Sequence, residues 1–164
     1  MENRDDTLTS LSGAVLGETD QVVRLDSARD FGVAACEMAE QARNRIQIFS
    51  PDLEPACYDH EVFASALAKV ANAHPVSIVQ ILVRDASAAV KRGHRLVPLC
   101  QQMTTGMEVR RIAEDYRNRR ECFLIADNQG VIYRADEDSY QGFANFSAVD
   151  TANRLARRFA EVWE

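Results

Sequence analysis

The sequence lacks the spacings that mark a metal or redox centre. Its four cysteines, Cys36, Cys57, Cys100 and Cys122, form no CxxC pair, and its three histidines, His60, His74 and His94, are scattered. No zinc motif and no disulfide framework fit that pattern, so buried free thiols in a reducing compartment are expected, with no metal and no cofactor. No apolar run is long enough to cross a bilayer, and no basic start leads into an apolar h-region. A cytoplasmic protein without membrane insertion is the expectation. Positive charge is also in the minority, 19 Lys and Arg against 25 Asp and Glu. The net charge is −6, which sets the field of the whole molecule against nucleic acid and anionic membranes. There is no helix-turn-helix signal and no interleaving of aromatic with basic residues, so nucleic-acid binding is not expected.

What is present describes an ordinary globular domain. A chain of 164 residues that is 46% hydrophobic and 27% charged buries a full core in one domain. Residues 1–20 are polar, acidic and without a sustained period, and read as a flexible N-terminal arm before a single domain at 21–164. The charge is unevenly spread. Between Arg84 and Arg120 nine basic residues face four acids, leaving that window at +5 and the rest of the chain at −11.

Hydrophobic periodicity places the elements. Residues 22–25 suit a short strand. Ser27 with Asp30 forms a capping-box start for a helix to about residue 43, carrying Phe31, Ala35, Met38 and Ala39 on one stripe. Residues 45–50 read as a strand stopped by Pro51. Asp59 opens a helix with Val62, Phe63, Ala66, Leu67 and Val70. The apolar run at 77–84 suits a central strand buried on both faces. A helix over 86–103 is interrupted near His94 by Gly93 and Pro98. Residues 107–112 alternate as a strand, and 121–126 with 131–134 flank Asp127-Asn128-Gln129-Gly130 as a hairpin. A last helix, opened by Ser147 and Asp150, runs to Trp163. Alternation of helices and strands predicts an α/β fold with a mixed, mostly parallel sheet flanked by helices on both faces.

One stretch carries more than structure. Arg120-Glu121-Cys122-Phe123-Leu124-Ile125-Ala126-Asp127 is followed by Gly142-Phe143-Ala144-Asn145-Phe146. Its layout resembles the phospholipase D superfamily motif: His-x-Lys, four residues, Asp, then a Gly-Ser-x-Asn turn. In that motif the two side chains share one face of a strand; the His attacks phosphorus and the Lys neutralises phosphoryl charge. Asp127, Gly142 and Asn145 fall on motif letters. Arg120 stands at the His letter, Cys122 at the Lys letter and Phe143 at the Ser letter. The gap from Asp127 to Gly142 is fourteen residues, against six in the family pattern, and contains the acidic stretch Asp136-Glu137-Asp138. With Ser50-Pro51-x-Leu53, Gly93-His94-Arg95-Leu96 and Glu114-Asp115-Tyr116, the chain more narrowly resembles a bacterial phospholipase D-like family of unknown function with a degenerate motif.

The resemblance implies one phospholipase D-like half, paired with a second copy as a homodimer. It also implies lost chemistry, since a guanidinium stays protonated and cannot act as nucleophile. Three functions follow. The first is a catalytically inactive domain that binds a phosphate-bearing or other anionic ligand, or a partner protein. Its candidate contacts are His94, Arg95, Arg111, Arg120, Cys122, Asp127 and Asn145. The second is a structural or dimerisation module without a small ligand. The third is a phosphodiesterase with relocated chemistry on His94 or Cys122. Each residue also has a purely structural reading: Asp127 as a hairpin turn, Asn145 as a backbone-bonding turn residue, Cys122 as a packed thiol, His94 as a hydrogen-bonded core residue.

Overall fold

The computed structural model describes residues 4–103 and 105–163. Seven strands form one sheet: β1 (Val23–Leu25), β2 (Arg45–Phe49), β3 (Ile78–Val83), β4 (Met107–Arg111), β5 (Cys122–Ala126), β6 (Gly130–Arg134) and β7 (Gly142–Asn145), in the order β1-β7-β6-β5-β2-β3-β4. Only β2-β3 and β3-β4 pair in parallel; the other four pairings are antiparallel. The α/β class and the mixed sheet match the sequence expectation, but the mostly parallel character does not. β5 inserts antiparallel beside β2, and β6, β7 and β1 extend that half as a meander.

Helices cover both faces. One face carries α1 (Arg4–Gly13), α2 (Ala28–Gln41), α3 (Pro55–Tyr58), α4 (Glu61–Ala73), α5 (Ser87–Arg92) and α6 (Leu96–Gln102). The other carries α7 (Val149–Trp163) alone. The strands supply both cores because their side chains alternate. Ile46, Ile48 and Ile81 pack with α2 and α4. Phe49, Leu82 and Phe123 pack with Leu155 and Phe159 of α7, with Phe49 and Phe123 stacked at 5.3 Å. α2 starts where its cap predicts, with the Asp30 amide donating to Ser27 Oγ at 3.1 Å.

Two local findings depart from the sequence expectation. The expected flexible arm contains α1, with Leu11 fully buried. Its exit is pinned by Gln41, which accepts from Leu16 N at 2.8 Å and donates to Ala14 O at 3.0 Å. Residues 142–145, read from sequence as a turn, form β7. The expected break near His94 is present: Gly93 adopts a left-handed φ of 69° and separates α5 from α6.

Candidate functional site

The ends of four neighbouring strands meet at one end of the sheet. Phe49 at the close of β2 lies opposite Phe123 of β5, Cys122 opposite Arg134 of β6, and Arg134 opposite Gly142 of β7. β3 ends at the same level and leads into Arg84. The acidic stretch 136–138, between β6 and β7, folds back over these ends.

The result is an internally paired ionic cluster, buried at Arg134 and Glu137 and open to solvent at Arg120, Asp136 and Asp138. Arg84 forks onto Glu137, with Nη2 at 2.9 Å from Oε1 and Nη1 at 3.2 Å from Oε2. Arg120 reaches Glu137 at 3.3 Å and Asp136 at 3.0 Å, and also bonds Asp138. The Glu137 amide donates to the Arg120 carbonyl at 2.8 Å, which fixes the stretch onto the start of β5. Beneath lies Arg134, only 3% exposed. It donates to Glu54 at 2.5 Å and to Cys122 Sγ at 3.3 Å, and its guanidinium sits 4.7 Å over the ring of Tyr140, whose hydroxyl also donates to Glu54.

Three guanidinium groups thus face four carboxylates, those of Glu54, Asp136, Glu137 and Asp138, so no positive charge is left over. Protonation states agree with this. The hydrogen bond to Glu137 raises the pKa of Arg84, and that to Asp136 raises Arg120. Burial works against the charge of Arg134, but hydrogen bonding to Glu54 and Cys122 outweighs it and the pKa is raised. Burial pushes the Cys122 thiol up to about 11 despite the adjacent Arg134, and Cys57 up to about 12. The hydrogen bond to Glu54 lifts Tyr140 to about 12. The space left among Ser50, Glu54, Cys57, Tyr58, Cys122 and Arg134 is about 10 Å³, room for one water and not for a phosphoryl group.

The sequence candidates are divided among four places. Arg120 and Cys122 belong to this cluster. Asp127 sits at the opposite end of β5, where its carboxylate accepts from the amides of Arg43, Asn44 and Arg45 at 2.8–2.9 Å and braces the entry to β2. Asn145 lies at that same far end. It donates to Asp20 at 2.9 Å and accepts from Ser147 N at 3.0 Å, so it is a buried joint. His94 is 1% exposed between α5 and α6, with Nδ1 accepting from Leu96 N at 3.2 Å, and burial lowers its pKa. Its neighbour Arg95 bonds Asp59. Arg111 is exposed on β4. Among the described residues, His94 and Arg95 share no hydrogen bond, ion pair or cavity wall with Arg120 or Cys122.

Arg84, Glu54, Arg134 and Glu137 are not among the candidate contacts read from the sequence, although Arg84 lies in the basic window and Glu137 in the acidic stretch. A signal for two of them was present. At the family spacing of six residues after Asp127, the Gly and Asn letters fall on Arg134 and Glu137, the two residues that complete the cluster. Gly142 and Asn145 imitate those letters further on. Among the described residues no group of three or more His, Cys, Asp or Glu is placed to hold a metal, and no helix is long and apolar enough to cross a membrane.

Comparisons agree with the fold. The profile of a domain of unknown function, DUF7931, matches residues 27–164. No curated protein matches the sequence. Among solved structures, NucT from Helicobacter pylori is similar with a TM-score of 0.61 at 15% identity, over 87% of this chain and 95% of its own. The archaeal chromatin protein TrmBL2, described with a novel mode of DNA binding, is similar with a TM-score of 0.65 at 14% identity, over 90% of this chain. The match spans about half of the TrmBL2 chain, 51%. At these identities the likeness is one of fold.

Proposed function

The chain belongs to the DUF7931 family, a domain of unknown function, and we propose that it is a non-catalytic, phospholipase D-like module that acts through protein contacts. The observation that carries this is Glu137. Its side chain is 8% exposed and held by both Arg84 and Arg120, so a carboxylate of the chain itself occupies the place where an anion would be gripped. The chemistry of a phosphodiesterase is missing at the same place. Arg120 cannot attack phosphorus. Cys122, with a thiol near 11, is protonated at neutral pH and walled in by Arg134. His94 is committed to its own loop.

The wild-type protein is expected to leave bis(p-nitrophenyl) phosphate and single-stranded DNA intact. It is also expected to show no saturable thermal shift with pyrophosphate or nucleotides. A shift that disappears in Arg120→Ala would overturn the sealed site and restore an anion-binding function. The fold is shared with a DNA-binding chromatin protein, so duplex DNA belongs in the same screen. Binding that weakens steeply with salt would favour a nucleic-acid role instead.

A further inference from the structure

β4 is an edge strand of the sheet, five residues long and without proline. Its hydrogen-bonding direction follows from its partner. Val79 N donates to Gly106 O, and Ile112 N donates to Val83 O, so the even-numbered residues of β4 point their amides and carbonyls at β3. Met107, Val109 and Arg111 therefore point theirs outward, and those groups have no backbone partner among the described residues. A row of unpaired groups on an edge strand is a template for a further strand.

The side chains indicate which strand. Glu108 and Arg110 lie on one face, both about half exposed, and bond each other at 2.9 Å, while Arg110 also donates to the Trp163 carbonyl at 2.6 Å and lies 4.1 Å over its ring. Two copies of β4 laid antiparallel about a two-fold axis through Val109 set Glu108 opposite the partner's Arg110, and Arg110 opposite the partner's Glu108. Those are non-hydrogen-bonded positions, where cross-strand side chains come closest. Met107, Val109 and Arg111 then meet Arg111, Val109 and Met107 of the second copy at hydrogen-bonded positions. All their outward groups are satisfied by about six bonds. Moving the axis to residue 108 or 110 stacks Glu on Glu or Arg on Arg, so the charges select this register. On the other face Val109 is one wall of an apolar cavity of about 170 Å³ that Val90, Val97 and Cys100 also line.

We propose that β4 is a self-association edge, and that two copies of this chain join their sheets antiparallel about Val109, with Glu108–Arg110 pairs fixing the register. This rests on the reading of the domain as a protein-contact module and identifies its partner as a second copy. The ionic cluster is a separate feature, built at the ends of β3, β5 and β6 rather than along the outer edge of β4.

Sedimentation velocity of the full chain over about 1 to 100 µM tests it. The wild type is expected to be a dimer, and a monomer throughout that range would overturn the proposal. Val109→Pro removes an outward amide and no bond to β3, so it is expected to give a folded monomer; a persisting dimer would show that the interface lies elsewhere. Glu108→Arg and Arg110→Glu are each expected to be monomeric alone and to form a heterodimer when mixed, since only the mixture restores opposite charges. Two variants that dimerise separately, or fail to pair when mixed, would contradict the register. Thermal melts confirm that each variant is folded. These results leave the sealed site untouched, because that stands or falls on ligand titration.

Discussion

Arg134 is the residue on which the cluster depends. It is a buried cation whose hydrogen bonds run to Glu54 and Cys122, with two aromatic faces against its guanidinium. Removing it strands Glu54, which is itself largely buried. Arg134→Ala is expected to cost about 3 to 5 kcal/mol in urea denaturation, whereas replacement of a buried pair by packed apolar groups often costs far less. The double variant Arg134→Met/Glu54→Leu should therefore recover much of the loss. His94 makes a second prediction at this scale. Burial holds its pKa below the ordinary value against the opposing pull of Asp59 and with the help of Arg92 and Arg95. A depressed folded pKa means that stability is full above the unfolded value, about 6.5, and falls as the pH drops through the folded one. The urea midpoint is expected to decline between about pH 7.5 and 5.5, and His94→Gln is expected to flatten that decline.

Among elements, the β5–β6 hairpin and its flanks show why motif letters mislead. Asp127 is not near the cluster. It caps the entry to β2 with three amide contacts and holds a left-handed φ of 54°, which Asp and Asn tolerate better than most residues. Asp127→Ala is expected to lose about 1.5 to 3 kcal/mol, and Asp127→Asn less, by thermal or urea melts. Gly142 is also structural. A Cβ there would stand 2.0 Å from the Tyr133 carbonyl of the paired strand, so Gly142→Ala is expected to cost about 1 to 3 kcal/mol. Local signals made much of the fold legible. The Ser27 cap gave α2, the apolar run gave β3 as a strand buried between two layers, and Gly93 gave the break between α5 and α6. The direction of β5 beside β2 was not legible, because it is set by packing between segments about 75 residues apart in sequence. α1 was missed because its anchorage comes from Leu11 and from Gln41 on another helix, with no repeating apolar stripe to betray it. The cluster was half legible. Arg120 and Cys122 stood out as replaced letters, but a buried Arg134 contradicts the usual exposure of arginine, and only counting six residues from Asp127 points to it.

The whole molecule resolves its uneven charge in space. Of the nine basic residues between Arg84 and Arg120, six form ion pairs: Arg84, Arg95, Arg110, Arg117, Arg119 and Arg120. Their partners include Asp59, Asp136, Glu137 and Glu161, drawn from outside the window. Much of a basic stretch of sequence is thereby drawn into local neutral pairs, while Lys91, Arg92 and Arg111 are exposed and form no ion pair among the described residues. The cluster of Arg84, Arg120 and Arg134 with its four carboxylates is the strongest instance of this, and the proposal that it leaves no room for an anion is tested most directly by titrating pyrophosphate into two proteins side by side in a calorimeter. One is the wild type; the other carries Asp136→Asn, Glu137→Gln and Asp138→Asn, which keep the shape and remove the carboxylate charge. The prediction is no heat of binding for the wild type and saturable binding for the variant, lost again when Arg120→Ala is added. Saturable binding by the wild type, at an affinity the three substitutions leave unchanged, would contradict the account.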